Sequence, residues 1–347
     1  MRFLKIPLWI LLSLISVFIL FLAYSAIDDY RPEPVETVFT GSENEIIRDS
    51  IFQIVSWNLG YAGLDSSMDF FYDGGKQVRP EKARVEKNVR GILSTIDAFP
   101  AQDFYLLQEV DVKSKRSYRI NQFNMLAAIL NPYHVSYGKN YDVAFVPIPP
   151  LKPMGKVESG LETLSKYTPL ESVRFSFPGN YSWPMSLFML DRCFLVNRYL
   201  LANGKMLSVV NTHNSAYDDG SLRKQQMEYL KEFLLDEYES GNYVLVGGDW
   251  NQCPFGFKPE FDEDVFDSED LTYTPADYPG ADWNWAYDPT HPTNRRVNIP
   301  YTKGETATTM IDFFLLSPNI EALEIHGMDL DFTYSDHQPV FLRFKLI

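Results

Sequence analysis

Residues 243–251, YVLVGGDWN, constrain the fold of this chain more than any other stretch. Tyr243, Val244, Leu245 and Val246 form a short apolar run, mostly β-branched or aromatic, that predicts a buried strand. Gly247 and Gly248 end the run and permit a tight turn. Asp249 and Asn251 follow at once, an acceptor-only carboxylate and an amide, and an extended backbone points both the same way. The carboxyl end of a buried strand is where open α/β sheets hold their chemistry. An Asx-rich turn has the same local signature, so the other strands must decide.

They repeat the placement. Residues 51–56 (IFQIVS) run into Trp57, Asn58, Leu59 and Gly60, and residues 103–107 (DFYLL) deliver Gln108, Glu109, Val110 and Asp111. Asn203-Gly204 marks a hairpin whose second strand, 206–211, ends in Thr212, His213 and Asn214. Residues 310–316 (MIDFFLL) carry Asp312, and Ser335, Asp336 and His337 precede a final strand at 340–346. Further strands are expected at 143–148 and 160–167. Amphipathic helices are expected at 80–96, 121–130 and 222–238, the first with Val85, Val89, Ile92, Leu93 and Ile96 on one face. Taken singly, each polar strand end has a structural explanation. Only five histidines occur, however, and two of them stand at such positions.

The amino terminus reads separately. Arg2 and Lys5 precede 21 residues without charge, 6–26, and Asp28 and Asp29 follow. That length crosses the hydrocarbon core as a helix, and the charge order places the amino end inside and the remainder outside the cytoplasm. A cleaved signal peptide is the rival, with Ala23 and Ser25 as cleavage-site residues. The expected organisation is a membrane anchor over 1–27, a charged, proline-bearing linker over 28–50 that lifts the domain off the bilayer, and a catalytic domain over 51–347.

Charge narrows the partners. Residues 51–347 hold 27 basic and 39 acidic side chains, so no broad footprint for nucleic acid exists, although local, metal-assisted contacts remain open. Two cysteines, Cys193 and Cys253, exclude a disulfide framework and a thiolate zinc cluster; they read as buried free thiols, with a single pairing in an oxidising compartment as the alternative. Residues 255–304 form a long aperiodic connection, but Trp283, Trp285, Tyr287, Arg295 and Arg296 argue against disorder. Trp285 and Arg295 are its candidate substrate contacts. An exposed aromatic patch there would suit membrane or base stacking, and a buried one plain core packing.

The polar strand ends suggest metal-assisted attack on phosphorus. Glu109, Asn58, Asp249 and Asn251 are oxygen donors, which suit a hard cation such as Mg²⁺. A histidine beside a carboxylate can activate water or stabilise a phosphoryl oxygen. The ordered set Trp57-Asn58, Gln108 to Asp111, Asn211 to His213, Gly248 to Asn251, Ile311-Asp312 and Ser335 to His337 resembles the endonuclease/exonuclease/phosphatase superfamily. The resemblance implies an α/β fold, a four-layer sandwich of two packed β-sheets flanked by helices. It also implies a hydrolase of phosphoester bonds that uses Mg²⁺, with Mn²⁺ as the alternative. On it, Glu109, Asn58 and Asp336 hold the metal, Asp249 activates the water, and Asn251 and His213 hold the phosphate. His337 is then the catalytic histidine and Asp312 its orienting partner. Many relatives carry an arginine before the Ile-Asp pair where Met310 stands here, so that phosphate contact is either missing or supplied by Arg295 or Arg296. The expected protein is a monomeric, membrane-anchored phosphodiesterase or phosphatase. Its substrate is a lipid head group, a nucleic acid or a small phosphoester, and a non-catalytic binding module is the rival.

Overall fold

The computed structural model describes residues 5–41, 45–99, 101–261, 265–266 and 271–347. The apolar runs become the central strands of two sheets. One has the order β1 (Val35–Thr40), β7 (Glu171–Ser176), β8 (Cys193–Leu201), β9 (Met206–His213), β10 (Tyr243–Asp249), β14 (Asp312–Leu316) and β11 (Asn284–Ala286), with β2 (Ile46–Ile47) beside β8. The other runs β15 (Ile320–Gly327), β16 (Val340–Leu346), β3 (Ile51–Asn58), β4 (Phe104–Asp111), β6 (Gly155–Ser165) and β5 (His134–Val146). A short ribbon pairs β12 (Asn294–Arg295) with β13 (Thr308–Thr309).

The sheets face each other across a core that includes Phe52, Ile54, Phe104 and Leu106 from one and Leu207, Val209, Leu245 and Phe314 from the other. These residues alternate along their strands, as a two-sided sheet requires. Helices α2 (Lys82–Ala98) and α3 (Gln122–Ile129) cover one outer face, where Val85, Val89, Ile92 and Ile96 meet Val55, Tyr105 and Leu107. On the other, α4 (Ser221–Glu239) brings Met227, Leu230 and Leu234 onto Val210, Val244 and Phe313. The result is the expected four-layer α/β sandwich. Cys193 and Cys253 are both buried, and neither is in a disulfide.

Helix α1 (Lys5–Ile27) is long and apolar enough to cross a membrane, a test that an amino-terminal signal sequence also passes. The expected linker over 28–50 needs correction. Val35–Thr40 pairs antiparallel with β7, and Ile46–Ile47 pairs with β8. Ser176 donates its hydroxyl to the carbonyl of Glu33, and the Lys139 ammonium lies 4.6 Å from the Tyr30 ring centroid. The charges that suggest a spacer are those of an edge strand, held by backbone pairing more than by burial.

Candidate active site

Strand register brings the predicted residues together. His213 on β9 lies beside Asp249 on β10, and Asp249 lies opposite Asp312 on β14. Gly248 makes this possible: at φ +144°, a Cβ there would lie 2.0 Å from the Thr212 carbonyl oxygen. In the facing sheet Asn58 pairs with Gln108, so Glu109 arrives at the same rim. The β4–β6 register slips between Leu107 and Val110, and Glu109 sits at φ +54°. Such a bulge re-aims a side chain at the cost of local strain. The segment at 335–337 closes the ring: the Ser335 hydroxyl donates to the Asn58 carbonyl, and the Trp57 indole N–H donates to that of His337. Glu109, His213, Asp249, Asn251, Asp336 and His337 all line one cleft of about 750 Å³.

Two subsites can be separated. His337 Nδ1 lies 2.8 Å from Asp312 Oδ2, with both side chains buried, and its Nε2 points toward Asp249 Oδ2 at 3.8 Å. Burial opposes a charge on His337, but the Asp312 and Asp249 carboxylates outweigh it and hold the imidazole well above its ordinary pKa. His213 Nε2 lies 3.4 Å from Asp249 Oδ2, yet burial, with Arg192 and His337 nearby, pushes its pKa well down. The two imidazoles are thus pushed in opposite directions. Burial also raises Asp249 to about 6, opposed by His337 and by the bond from Asn58.

The second subsite holds Glu109 and Asp336. Burial raises Asp336 to about 7, and Glu109 pushes it in the same direction. Two converging carboxylates at a buried rim form a hard-oxygen donor set that fits a divalent cation. Asp249, Asp312 and His337 also cluster within 4.8 Å. Because His337 bonds Asp312 directly, that trio reads as an acid–imidazole network.

Several assignments change. Asn58 turns its oxygen to the Gly60 N–H, while its Nδ2 donates to Asp249 at 2.9 Å and reaches Glu109 at 3.4 Å. It orients carboxylates and does not present its oxygen as a metal ligand. Arg295 lines the cleft, but its guanidinium donates to the carbonyls of Asp65, Arg296 and Ile299. These bonds tie loops together through Nη1 and Nη2, while its Nε is buried without a hydrogen-bond partner. Trp285 lies outside the cleft, packed on Trp250, Phe313 and Tyr278 with ring centroids 5.2, 5.3 and 5.8 Å away, so the aromatic segment is core. Met310 is buried against Cys253 and Phe257.

Sequence reading missed three cleft residues. Arg192 faces Asp249 and Glu109, and its Nη1 is buried without a hydrogen-bond partner. Arg116 bonds Asp111 and approaches Glu109 Oε2 at 4.0 Å. Asn294 Nδ2 lies 3.0 Å from His337 Nε2. The only signal for Arg192 is its position: with Asp191 it ends a run of sixteen uncharged residues, 175–190.

Two sheets delivering acids, imidazoles and an arginine to one cleft define a hydrolase of phosphoester bonds. The Endonuclease/Exonuclease/phosphatase family model matches residues 55–337, and the chain belongs to that family, whose members are metal-dependent phosphoester hydrolases. Solved structures agree on the fold. The chain is similar to an endonuclease/exonuclease/phosphatase from Beutenbergia cavernae DSM 12333, with a TM-score of 0.57 and 18% identity, covering 86% of this chain and 72% of that one. It also resembles D. rerio TDP2 complexed with single strand DNA product, with a TM-score of 0.54 and 16% identity over 86% of this chain and 100% of that one. The human Nocturnin catalytic domain with bound sulfate anion gives 0.51 and 17% over 87% and 96%. No curated protein matches the sequence.

Proposed function

We propose that this protein is a Mg²⁺-dependent phosphodiesterase or phosphomonoesterase, tethered by α1 with its catalytic domain outside the cytoplasm. The observation that carries the reading is the meeting of the Glu109/Asp336 acid pair with the buried Asp312–His337 pair in one cleft. Glu109 and Asp336 would hold the cation, which when bound supplies positive charge to the phosphoryl group. Asp249, fixed by Asn58 and by the Asn251 backbone N–H at 2.9 Å, accepts the proton of the attacking water. His337, kept charged by Asp312, donates to a phosphoryl oxygen as negative charge develops. Neutral His213, Asn251 and the unpaired Nη1 of Arg192 hold the remaining phosphate oxygens. The anchor rests on the basic residues before the apolar span and the acids after it.

The test uses the full chain in detergent with bis(p-nitrophenyl) phosphate and p-nitrophenyl phosphate. Hydrolysis of either should vanish with chelator and return with Mg²⁺. Glu109→Ala and His337→Ala should each be inactive with unchanged far-ultraviolet circular dichroism. Full activity in both variants would sink the site.

A further inference from the structure

We infer that the cleft opens toward the bilayer that α1 spans and that its substrate is the phosphoester of a membrane lipid. This deepens the reading above and rests on it. The anchor is docked against the domain. The Phe21 ring stacks on Phe188 at 5.7 Å, nearly parallel, and meets Phe145 edge-on at 6.2 Å. Residues 28–34, between α1 and the paired β1, are short and pinned through Tyr30 and Glu33. The domain is therefore seated at a fixed attitude, with no leash on which to swing.

Depth follows from helix geometry. The apolar span Pro7–Ile27 has 21 residues, about 31 Å at 1.5 Å each, which matches a hydrocarbon core of about 30 Å. Phe21 lies six residues inside its end, roughly 9 Å below the boundary. Whatever rests on Phe21 is therefore level with the outer acyl region. The two segments there are composed for that place. Residues 175–190 and 143–151 contain no charged side chain, in a chain that is 22% charged. They expose Leu151 fully, Trp183 at 66% and Met185 at 50%. Lys152 follows Leu151. Exposed tryptophan, aliphatic and lysine side chains together are the signature of a membrane interface.

The carboxyl end of the 175–190 run forms part of one wall of the cleft. Phe188 packs in the cluster that contains Met154, with Leu190 beside it, and Met154, Met189 and Leu190 line the cleft. The path from bilayer to Arg192 and His213 thus runs along apolar side chains. That wall suits acyl or sphingoid chains held below a phosphate. Water would add at phosphorus, the ester P–O bond would break, and the departing lipid or head-group oxygen would take up a proton. The overall charge of −15 gives no comparable attraction for nucleic acid.

The experiment compares the wild type with the triple variant Leu151→Glu/Trp183→Glu/Met185→Glu, whose substitutions are all exposed and outside the site. Both full chains are reconstituted into vesicles of equimolar phosphatidylcholine, phosphatidylglycerol and sphingomyelin. Released lipid phosphate products are measured beside hydrolysis of soluble bis(p-nitrophenyl) phosphate and of a single-stranded oligonucleotide. The expected result is a loss of at least about tenfold on vesicle lipid with the soluble diester unchanged. Equal lipid turnover by both proteins, or oligonucleotide cleavage with no lipid turnover, overturns the inference. A second readout does not need catalysis. Phosphatidylcholine brominated near the head group should quench Trp183, seen as a smaller quenchable fraction in Trp183→Phe than in the wild type. An unchanged fraction overturns the seating. Silence of the wild type on the soluble diester indicts the phosphoesterase reading, while quenching still decides how the domain sits.

Discussion

Replacing Asp312 with asparagine isolates the acid–imidazole pair with almost no change of shape. In the native chain the Asp312 carboxylate lies 2.8 Å from His337 Nδ1, and both side chains are buried. A hydrogen bond to a charged group contributes about 1.5–3 kcal/mol, against about 0.5–1.5 kcal/mol for a neutral one. Losing the charge therefore withdraws roughly 1–2 kcal/mol from the imidazolium, a factor of about five to thirty. The amide can also donate to Nδ1 and so fix the opposite tautomer, which brings the expected loss of kcat to about 10²- to 10⁴-fold. The pH profile carries a second signature. Asp312 and Asp249 hold His337 well above its ordinary pKa, so the active, protonated form persists to high pH. Without the Asp312 charge the imidazole loses its proton earlier. The alkaline limb of kcat/KM must then move to lower pH, and the deficit must grow from about pH 6 to 9. The assay is bis(p-nitrophenyl) phosphate hydrolysis by the full chain with Mg²⁺, and a thermal melt checks the fold. A variant within about threefold of wild type, with the same alkaline limb, would refute the pairing.

Other sites give cleaner stability readouts. Both carboxyl oxygens of Glu162 are buried without a partner, and burial holds its pKa well above the ordinary carboxylate range. Glu162→Met should stabilise the protein by about 1–3 kcal/mol near neutral pH. The sign is fixed: the folded state keeps a proton that the unfolded chain releases, so wild-type stability falls as pH rises above the unfolded carboxyl pKa. The gain in melting temperature should accordingly widen from acid to neutral pH, and a constant gain would contradict this account. Gly248→Ala should cost about 2–5 kcal/mol and disturb Asp249, because its Cβ meets the Thr212 carbonyl oxygen at 2.0 Å. Chemical denaturation reads the cost, and a neutral result would refute it. Removing the chain before residue 45 strips β1 from β7 and should give an aggregating domain, whereas removal before residue 28 should not. Size-exclusion chromatography distinguishes the two, and a monodisperse shorter form would overturn the structural role of β1.

The site was legible in the sequence to the degree that each residue follows an apolar run. The strands carrying Asn58, Glu109, His213, Asp249 and Asp312 all enter buried sheet centres, where burial forces an unbroken hydrophobic pattern. β1 and β15 escape the same reading because VETVFT and IEALEIHG are edge strands, largely exposed, with charges interleaved. Trp285 shows a different limit. Its aromatic character predicts contact but not the partner, and only the fold puts Trp250 and Phe313 against it. The Asn58 amide has two faces, and which one meets the acids depends on the Gly60 N–H two residues on. Arg192 carries no motif at all. It reaches the cleft only because it directly precedes β8 at the cleft wall.

Asp336 tests whether the acid pair exists to hold a cation. Its carboxyl lines the cleft near Glu109, and burial with Glu109 holds it up to about 7. Like charges confined in this way cost stability in the absence of a counter-ion. Asp336→Asn keeps the shape and removes one charge, so in chelator the variant should be more stable than the wild type by about 1–3 kcal/mol. Mg²⁺ should reverse the order. At a hundredfold excess over its dissociation constant, an ion bound only by the folded state stabilises it by about 2.7 kcal/mol. The wild type should gain on that scale and the variant far less, having lost one of two carboxylate ligands. Thermal melts of both full-length proteins, with chelator and with Mg²⁺, read this without any substrate. Equal gains in both proteins would place the cation elsewhere. A wild type more stable than the variant in chelator would mean that Asp336 is a structural acid whose partners, not an ion, neutralise it.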